Sequence, residues 1–143
     1  MAATEERLDA EEFRGLLDAA LRAADDDPKL GPLLRATGMR MRFTFTDIGV
    51  VLNLAAADGR DHHIRWAFSE GPRWKPRLEL TMSSETANAF LQGKESLAVA
   101  IARGKVRCQG EARVALMYLP ATRLLAEQYR RVVHDTNPNL VVA

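Results

Sequence analysis

The sequence has a single cysteine, almost no net charge and no apolar run long enough to cross a bilayer, and each shortage removes a class of protein. With Cys108 alone, no internal disulfide can form and no pair of thiolates can hold zinc, which fits a reducing compartment. No stretch approaches the ~20 apolar residues of a spanning helix. The acidic start Met1-Ala2-Ala3-Thr4-Glu5-Glu6 lacks the basic and apolar regions of an export signal. A cytoplasmic protein is expected. A formal net charge of +1 leaves any attraction to nucleic acid or anionic membrane to local patches. Catalytic signatures are missing too: there is no Gly-x-Ser-x-Gly elbow, no dinucleotide glycine fingerprint and no zinc-protease helix. Gly93-Lys94-Glu95-Ser96 is not a phosphate loop, because Asn88 stands where the upstream glycine is required and Glu95 separates the lysine from the hydroxyl.

What is present is periodicity. The 143 residues, 47% of them hydrophobic, fit one domain spanning 1–143, with 1–7 and 136–143 as loose ends. Asp9 with Glu12 forms a capping-box-like start, and Leu8 can staple onto Phe13, so a helix begins there. Phe13, Leu16, Leu17, Ala20, Leu21 and Ala24 give it an apolar face. Asp25-Asp26-Asp27-Pro28 stops it as a solvated turn, since it lacks the oxygen spacing of a calcium loop. After a short helical turn from Pro32 to Thr37, period-two alternation takes over. Met39, Met41, Phe43 and Phe45 form one strand, Ile48, Val50, Leu52 and Leu54 the next, and Asp58-Gly59 turns into Ile64, Trp66 and Phe68. Leu78, Leu80 and Met82 resume the pattern beyond the loop Gly71 to Pro76, and Val106 with Cys108 makes a fifth strand. Five strands greasy on one side predict an α/β (α+β) fold: a largely antiparallel sheet covered on one face by helices.

Ser83 caps a helix closed by Gly93, and Leu97-Ala98-Val99-Ala100-Ile101-Ala102 forms a second that reads as buried all round, closed by Gly104. A long C-terminal helix follows Gly110, carries Leu124, Leu125, Tyr129 and Val133, and is broken or hinged at Pro120. The order Leu91-Gln92-Gly93-Lys94, Ala102-Arg103-Gly104-Lys105-Val106 and then Gly110 with an apolar helix resembles the sterol carrier protein type two family, as a stand-alone domain of the bacterial type. The resemblance implies an apolar cavity or tunnel between sheet and helices that binds sterols, fatty acyl chains and their coenzyme A esters. Relatives in eukaryotes commonly end in a peroxisomal tripeptide, which Val141-Val142-Ala143 does not match.

By alternation and helical spacing, Phe43, Phe45, Leu52, Trp66, Phe68, Leu80, Met82, Phe90, Leu97, Ile101, Met117, Leu124 and Tyr129 converge between the layers. Spacing alone makes this a packed core; the resemblance makes it the lining of a ligand site. Binding or transfer of a fatty acid, fatty acyl-coenzyme A or sterol-like lipid, without catalysis and without a cofactor, is the expected function. An enzyme or enzyme accessory acting on an apolar substrate in lipid or natural-product metabolism is the alternative. For that role the sequence offers Cys108, Gln128, Tyr129 and His134, which form no recognisable constellation. His62 and His63, as strand neighbours, point to opposite faces and do not share a metal. The other sheet face carries Arg40, Arg42, Arg65, Arg77, Lys105 and Arg107, a basic surface for an anionic membrane or an enzyme partner. Nucleic acid is not expected, because the aromatics that would stack bases point inward. Monomer and homodimer are both compatible with this pattern.

Overall fold

The computed structural model describes residues 9–68 and 74–141. Leu8 with its proposed staple, the end at 1–7 and the loop residues Gly71, Pro72 and Arg73 lie outside them. Helix α1 (Ala10–Asp26) starts at Asp9, whose carboxylate accepts from the Glu11 N–H, and buries Phe13, Leu16, Leu17, Ala20, Leu21 and Ala24. Glu12 does not close the capping box; its carboxylate accepts instead from Asn137 Nδ2 at 2.9 Å. Helix α2 (Leu30–Ala36) follows, then strands β1 (Arg40–Phe45), β2 (Val50–Ala56), β3 (Ile64–Phe68) and β4 (Leu78–Met82). Helices α3 (Ser84–Leu91) and α4 (Leu97–Ala102) lead to β5 (Arg107–Gly110) and to α5 (Ala112–Thr136).

The strands lie in the order β3-β2-β1-β4-β5. Pairing is antiparallel except between β1 and β4, where Phe43 stands beside Leu80 and Phe45 beside Met82 in parallel register. The sheet is therefore mixed. Met41, Phe43 and Phe45 point to the helices and are buried with Leu52, Leu54, Leu80 and Met82. Phe13 on α1 meets Phe45 edge-on with ring centroids 5.0 Å apart, and Tyr129 on α5 meets Phe13 at 6.1 Å, so α1 and α5 are locked onto the centre of the sheet.

Three details depart from the sequence pattern. The acidic triplet is not a solvated turn. Asp25 is only 6% exposed and accepts from the backbone N–H groups of His63 and Ile64, while Asp27 Oδ1 accepts from those of Lys29 and Leu30 at the start of α2. Carboxylates that would oppose the negative end of α1 thus serve the next two elements. Helix α4 is not buried all round: Leu97 and Ala100 are buried, but Val99 is 43% exposed, because six residues at the rim of the helical layer have a solvent side. Helix α5 is not broken at Pro120. It runs through, Pro120 is exposed, and Ala121, Leu125, Tyr129 and Val133 beyond it are buried, so the distal half belongs to the core. The end is tied as well. A 3-10 turn, Pro138–Leu140, presents the Leu140 carbonyl to Gln92 Nε2 at 2.8 Å and to Asn88 Nδ2 at 3.2 Å.

Gly110 ends β5 at φ +139°, and a Cβ there would stand 2.7 Å from the Arg77 carbonyl oxygen. Only glycine lets β5 approach β4 this closely before the chain turns into α5.

Candidate ligand-binding site

The residues expected between the layers divide into three groups. Phe43, Phe45, Leu52, Met82, Phe90 and Tyr129 come together, joined by Leu17 and Leu21 of α1, but the gap that they enclose is about 40 Å³. That is close to the ~30 Å³ that one water occupies in the liquid. In this part the spacing describes a packed core.

The room lies further along, at the β5 side. Leu80, Leu97 and Ile101 line a cavity of about 440 Å³ together with Leu78, Cys108 and Leu119, between α4, the first turns of α5 and strands β4 and β5. Every side chain in this wall is apolar except the Cys108 thiol. A neighbouring cleft of about 300 Å³ between α3, α4 and α5 shares Leu97, Ala98 and Leu119 with it, and adds Glu95, Thr122, Arg123, Glu127 and Arg130. Those three shared residues are the wall between an apolar chamber and a charged one. Volumes of this size are in the range of small-molecule sites, and an apolar lining with a few polar groups at one end is their usual chemistry.

The third group is elsewhere. Trp66 is half-buried on β3, at the opposite edge of the sheet, where its Nε1 donates to Asp18 at 2.8 Å; it borders an open cleft that carries Asp58, Asp61 and His62. Phe68 lies under the Arg14 guanidinium at 5.2 Å. Leu124 is half-buried against the core and lines none of these cavities. Met117 does not converge with the others: it is 51% exposed, because Val114, Tyr118, Ala121 and Leu125 form the buried stripe of α5 and turn it outward.

The polar side chains near the site do not assemble into a reactive group. Burial pushes the Cys108 thiol up, which keeps it protonated and a poor nucleophile. Burial, and next the charge of Glu12, pushes Tyr129 far above the ordinary phenol value, and its hydroxyl is used in donating to Asn88 Oδ1 at 2.7 Å. Gln92 Nε2 donates to the same oxygen at 2.7 Å, so Asn88, Gln92, Tyr129 and the Leu140 carbonyl form one buried network that ties α3, α5 and the final turn together. Gln128 is buried on α5, whereas His134 is exposed beside Asp135 and does not reach the interior. Among the described residues no three His, Cys, Asp or Glu side chains gather as a metal site.

His62 and His63 do converge, though not on a metal. Both face Asp25, with His62 Nδ1 at 2.6 Å from its carboxylate and His63 Nδ1 at 3.0 Å from its carbonyl oxygen. The two precede β3, so strand alternation does not separate them. Burial pushes the Asp25 carboxyl up, but hydrogen bonds from His62, Ile64 and His63 outweigh it and hold the group below the ordinary carboxylate value. The same hydrogen bond, reinforced by the charge of Asp25, raises His62 above the ordinary imidazole value.

The expected basic sheet face is interrupted. Arg42 is half-buried and bonded to Glu79 at 2.8 Å and to Asn53 at 3.2 Å, and Trp74 stacks on Arg65 with the guanidinium carbon 4.7 Å from the ring centre. Lys105 precedes β5 and reaches Glu95 at 3.3 Å, off the sheet. Arg40, Arg77 and Arg107 remain exposed on that side.

Five strands in this order, with helices on one face, define a class of small α+β domain. No family model matches the chain, and no curated protein does. Solved structures do match. A conserved hypothetical protein of Thermus thermophilus described as possibly a sterol carrier protein superposes with a TM-score of 0.62 at 17% identity, over 91% of this chain and 92% of that one. The sterol carrier protein domain 2 of Helicoverpa armigera gives 0.62 at 18% identity, over 86% and 96%. A part of the sec-alkylsulfatase Pisa1 of a Pseudomonas species gives 0.55 at 16% identity, over 71% of this chain, which spans 15% of that enzyme. The chain therefore has the sterol carrier protein type two fold. No helix among the described residues is long and apolar enough to cross a membrane.

Proposed function

We propose that this chain binds and transfers an apolar molecule, a fatty acid, a fatty acyl-coenzyme A ester or a sterol-like lipid, without transforming it. The observation that carries the reading is the 440 Å³ chamber at the β5 side, apolar but for the Cys108 thiol and adjoining a cleft in which Arg123 and Arg130 stand with Glu95 and Glu127. In this reading an acyl chain occupies the chamber and an anionic head lies in the cleft, across the border that Leu97, Ala98 and Leu119 share. Relatives of the fold are described as sterol carrier proteins, which agrees with a lipid in this position. The lining supports the non-catalytic reading: Cys108 is the one potential nucleophile in it, and burial pushes its thiol up.

Each methylene moved out of water contributes roughly 0.8 kcal/mol before ordering costs. Titration with saturated fatty acids of increasing length is the test. Affinity should climb severalfold per two carbons and then level off when the chamber is full, and Leu97→Ala should move the plateau to longer chains. Negligible binding at every length would leave a solid-cored interaction domain.

A further inference from the structure

The chamber opens onto a surface unlike the rest of the molecule. Five large apolar side chains are exposed among the described residues, and three of them, Val99, Leu116 and Met117, stand on α4 and the first turns of α5. Leu116 is 68% exposed and also lines the chamber, so it sits at the mouth. Around this mouth basic side chains outnumber acidic ones. Arg103 lies two residues beyond Ile101 and Arg113 two residues before Ala115, both of those neighbours being part of the lining, and both arginines are exposed. Between residues 94 and 123 the sequence has six basic side chains, Lys94, Arg103, Lys105, Arg107, Arg113 and Arg123, against Glu95 and Glu111. The ion pairs of Arg103, Lys105 and Arg113 with those two glutamates are surface pairs and leave the excess in place. Helix α1, which packs against α5, is by contrast predominantly acidic.

We infer that this face, α4 with β5 and the first turns of α5, docks on an anionic phospholipid bilayer, with Leu116 and Met117 entering the headgroup region and Arg103 and Arg113 meeting phosphates. Protruding leucine and methionine ringed by arginine is the composition of an interfacial segment, because the apolar chains gain burial in the acyl boundary while the guanidinium groups stay among the headgroups. The inference rests on the carrier reading for its purpose: a mouth held against the bilayer lets an apolar cargo pass from lipid to chamber without crossing water. It differs from docking through the outer sheet face, where Arg42 and Arg65 are already engaged.

Flotation with phosphatidylcholine vesicles, with and without phosphatidylglycerol, tests it on four proteins: the parent, Met117→Glu, and two charge-matched double variants, Arg103→Glu with Arg113→Glu and Arg40→Glu with Arg77→Glu. The parent should float only with the anionic vesicles. Met117→Glu and the Arg103/Arg113 pair should each lower the bound fraction about tenfold or more, and the Arg40/Arg77 pair, with the same change of net charge, should alter it less than about twofold. Equal loss in both pairs would reduce the effect to net charge and overturn the assigned face. No flotation of the parent would overturn docking, and binding of an acidic acyl-carrying protein in its place would assign the face to a protein partner. Fatty acid binding in vesicle-free solution, measured on the same proteins, separates the two ideas. Ligand binding without flotation sinks only the docking, whereas flotation without ligand binding sinks only the carrier.

Discussion

The two edges of the sheet are built differently. At β3, polar groups fasten helix to strand: Trp66 to Asp18, His62 and the backbone of His63 and Ile64 to Asp25, and Arg14 over Phe68. At β5 the helices and the sheet meet through apolar side chains, among them Leu80, Leu97, Ile101 and Leu119, around a partly open pocket of about 440 Å³. Specific hydrogen bonds fix one geometry, whereas apolar contact around a void is tolerant of what occupies it. The difference teaches that the first edge holds the fold and the second is free to accommodate a guest.

If that division is correct, the same kind of damage should have opposite consequences at the two edges. The largest effect on stability is expected for Asp25→Ala, which strands two backbone N–H groups and His62; a loss of about 4–5 kcal/mol in urea unfolding should leave fatty acid affinity unchanged in the protein that remains folded. Next, Leu54→Ala, in the packed core, should cost about 3–4 kcal/mol, whereas Ile101→Ala, beside the chamber, should cost about 1–2 kcal/mol because fewer contacts are lost. Similar costs for the two would mean that the chamber is filled by side chains in solution. Leu119→Trp should act the other way round, lowering ligand affinity tenfold or more with little change in the unfolding midpoint, as a bulky ring occupies the cavity.

The smallest effect is a pH dependence. The raised value of His62 gives stability that is complete below the ordinary imidazole value, about 6.5, and fades as pH rises through the value in the folded protein. The lowered value of Asp25 gives stability that is complete above the ordinary carboxylate value, about 4, and fades as pH falls through the folded one. The destabilisation by His62→Ala should therefore be greatest between those values and shrink toward pH 8. A cost independent of pH from 5 to 8 would remove the ionic part of the contact.

Alternation made the sheet legible, since Phe43, Leu52, Leu80 and Met82 are buried as their spacing requires, and glycines at Gly93, Gly104 and Gly110 punctuate the segments as read. The site was legible only as a set of apolar positions. Spacing cannot tell a filled gap from an open one, so Phe43 and Tyr129 looked no different from Leu97 and Ile101. Trp66 faces the helical side as its strand phase demands, yet it is at the far edge of the sheet, and strand order is long-range information that no local pattern carries. Asp25 and Asp47 were hidden for a related reason. Asp47 accepts from the Ser84 N–H at 2.7 Å and from its hydroxyl at 2.6 Å, a partner 37 residues away that neither turn chemistry nor capping rules point to. Met117 was lost to helical phase, because α5 runs through Pro120 and a single stripe, Val114 to Val133, faces the core.

The central claim is that the guest sits at the β5 edge, and the single cysteine lies on the wall of that chamber. The rate of Cys108 alkylation by a small thiol reagent, followed by mass spectrometry across fatty acids of increasing length, reads occupancy there directly. Protection of tenfold or more, growing with chain length to a plateau while Trp66 emission in a Trp74→Phe variant stays constant, is the expected result. Strong changes in Trp66 emission with Cys108 unprotected would move the guest to the opposite edge and contradict the account.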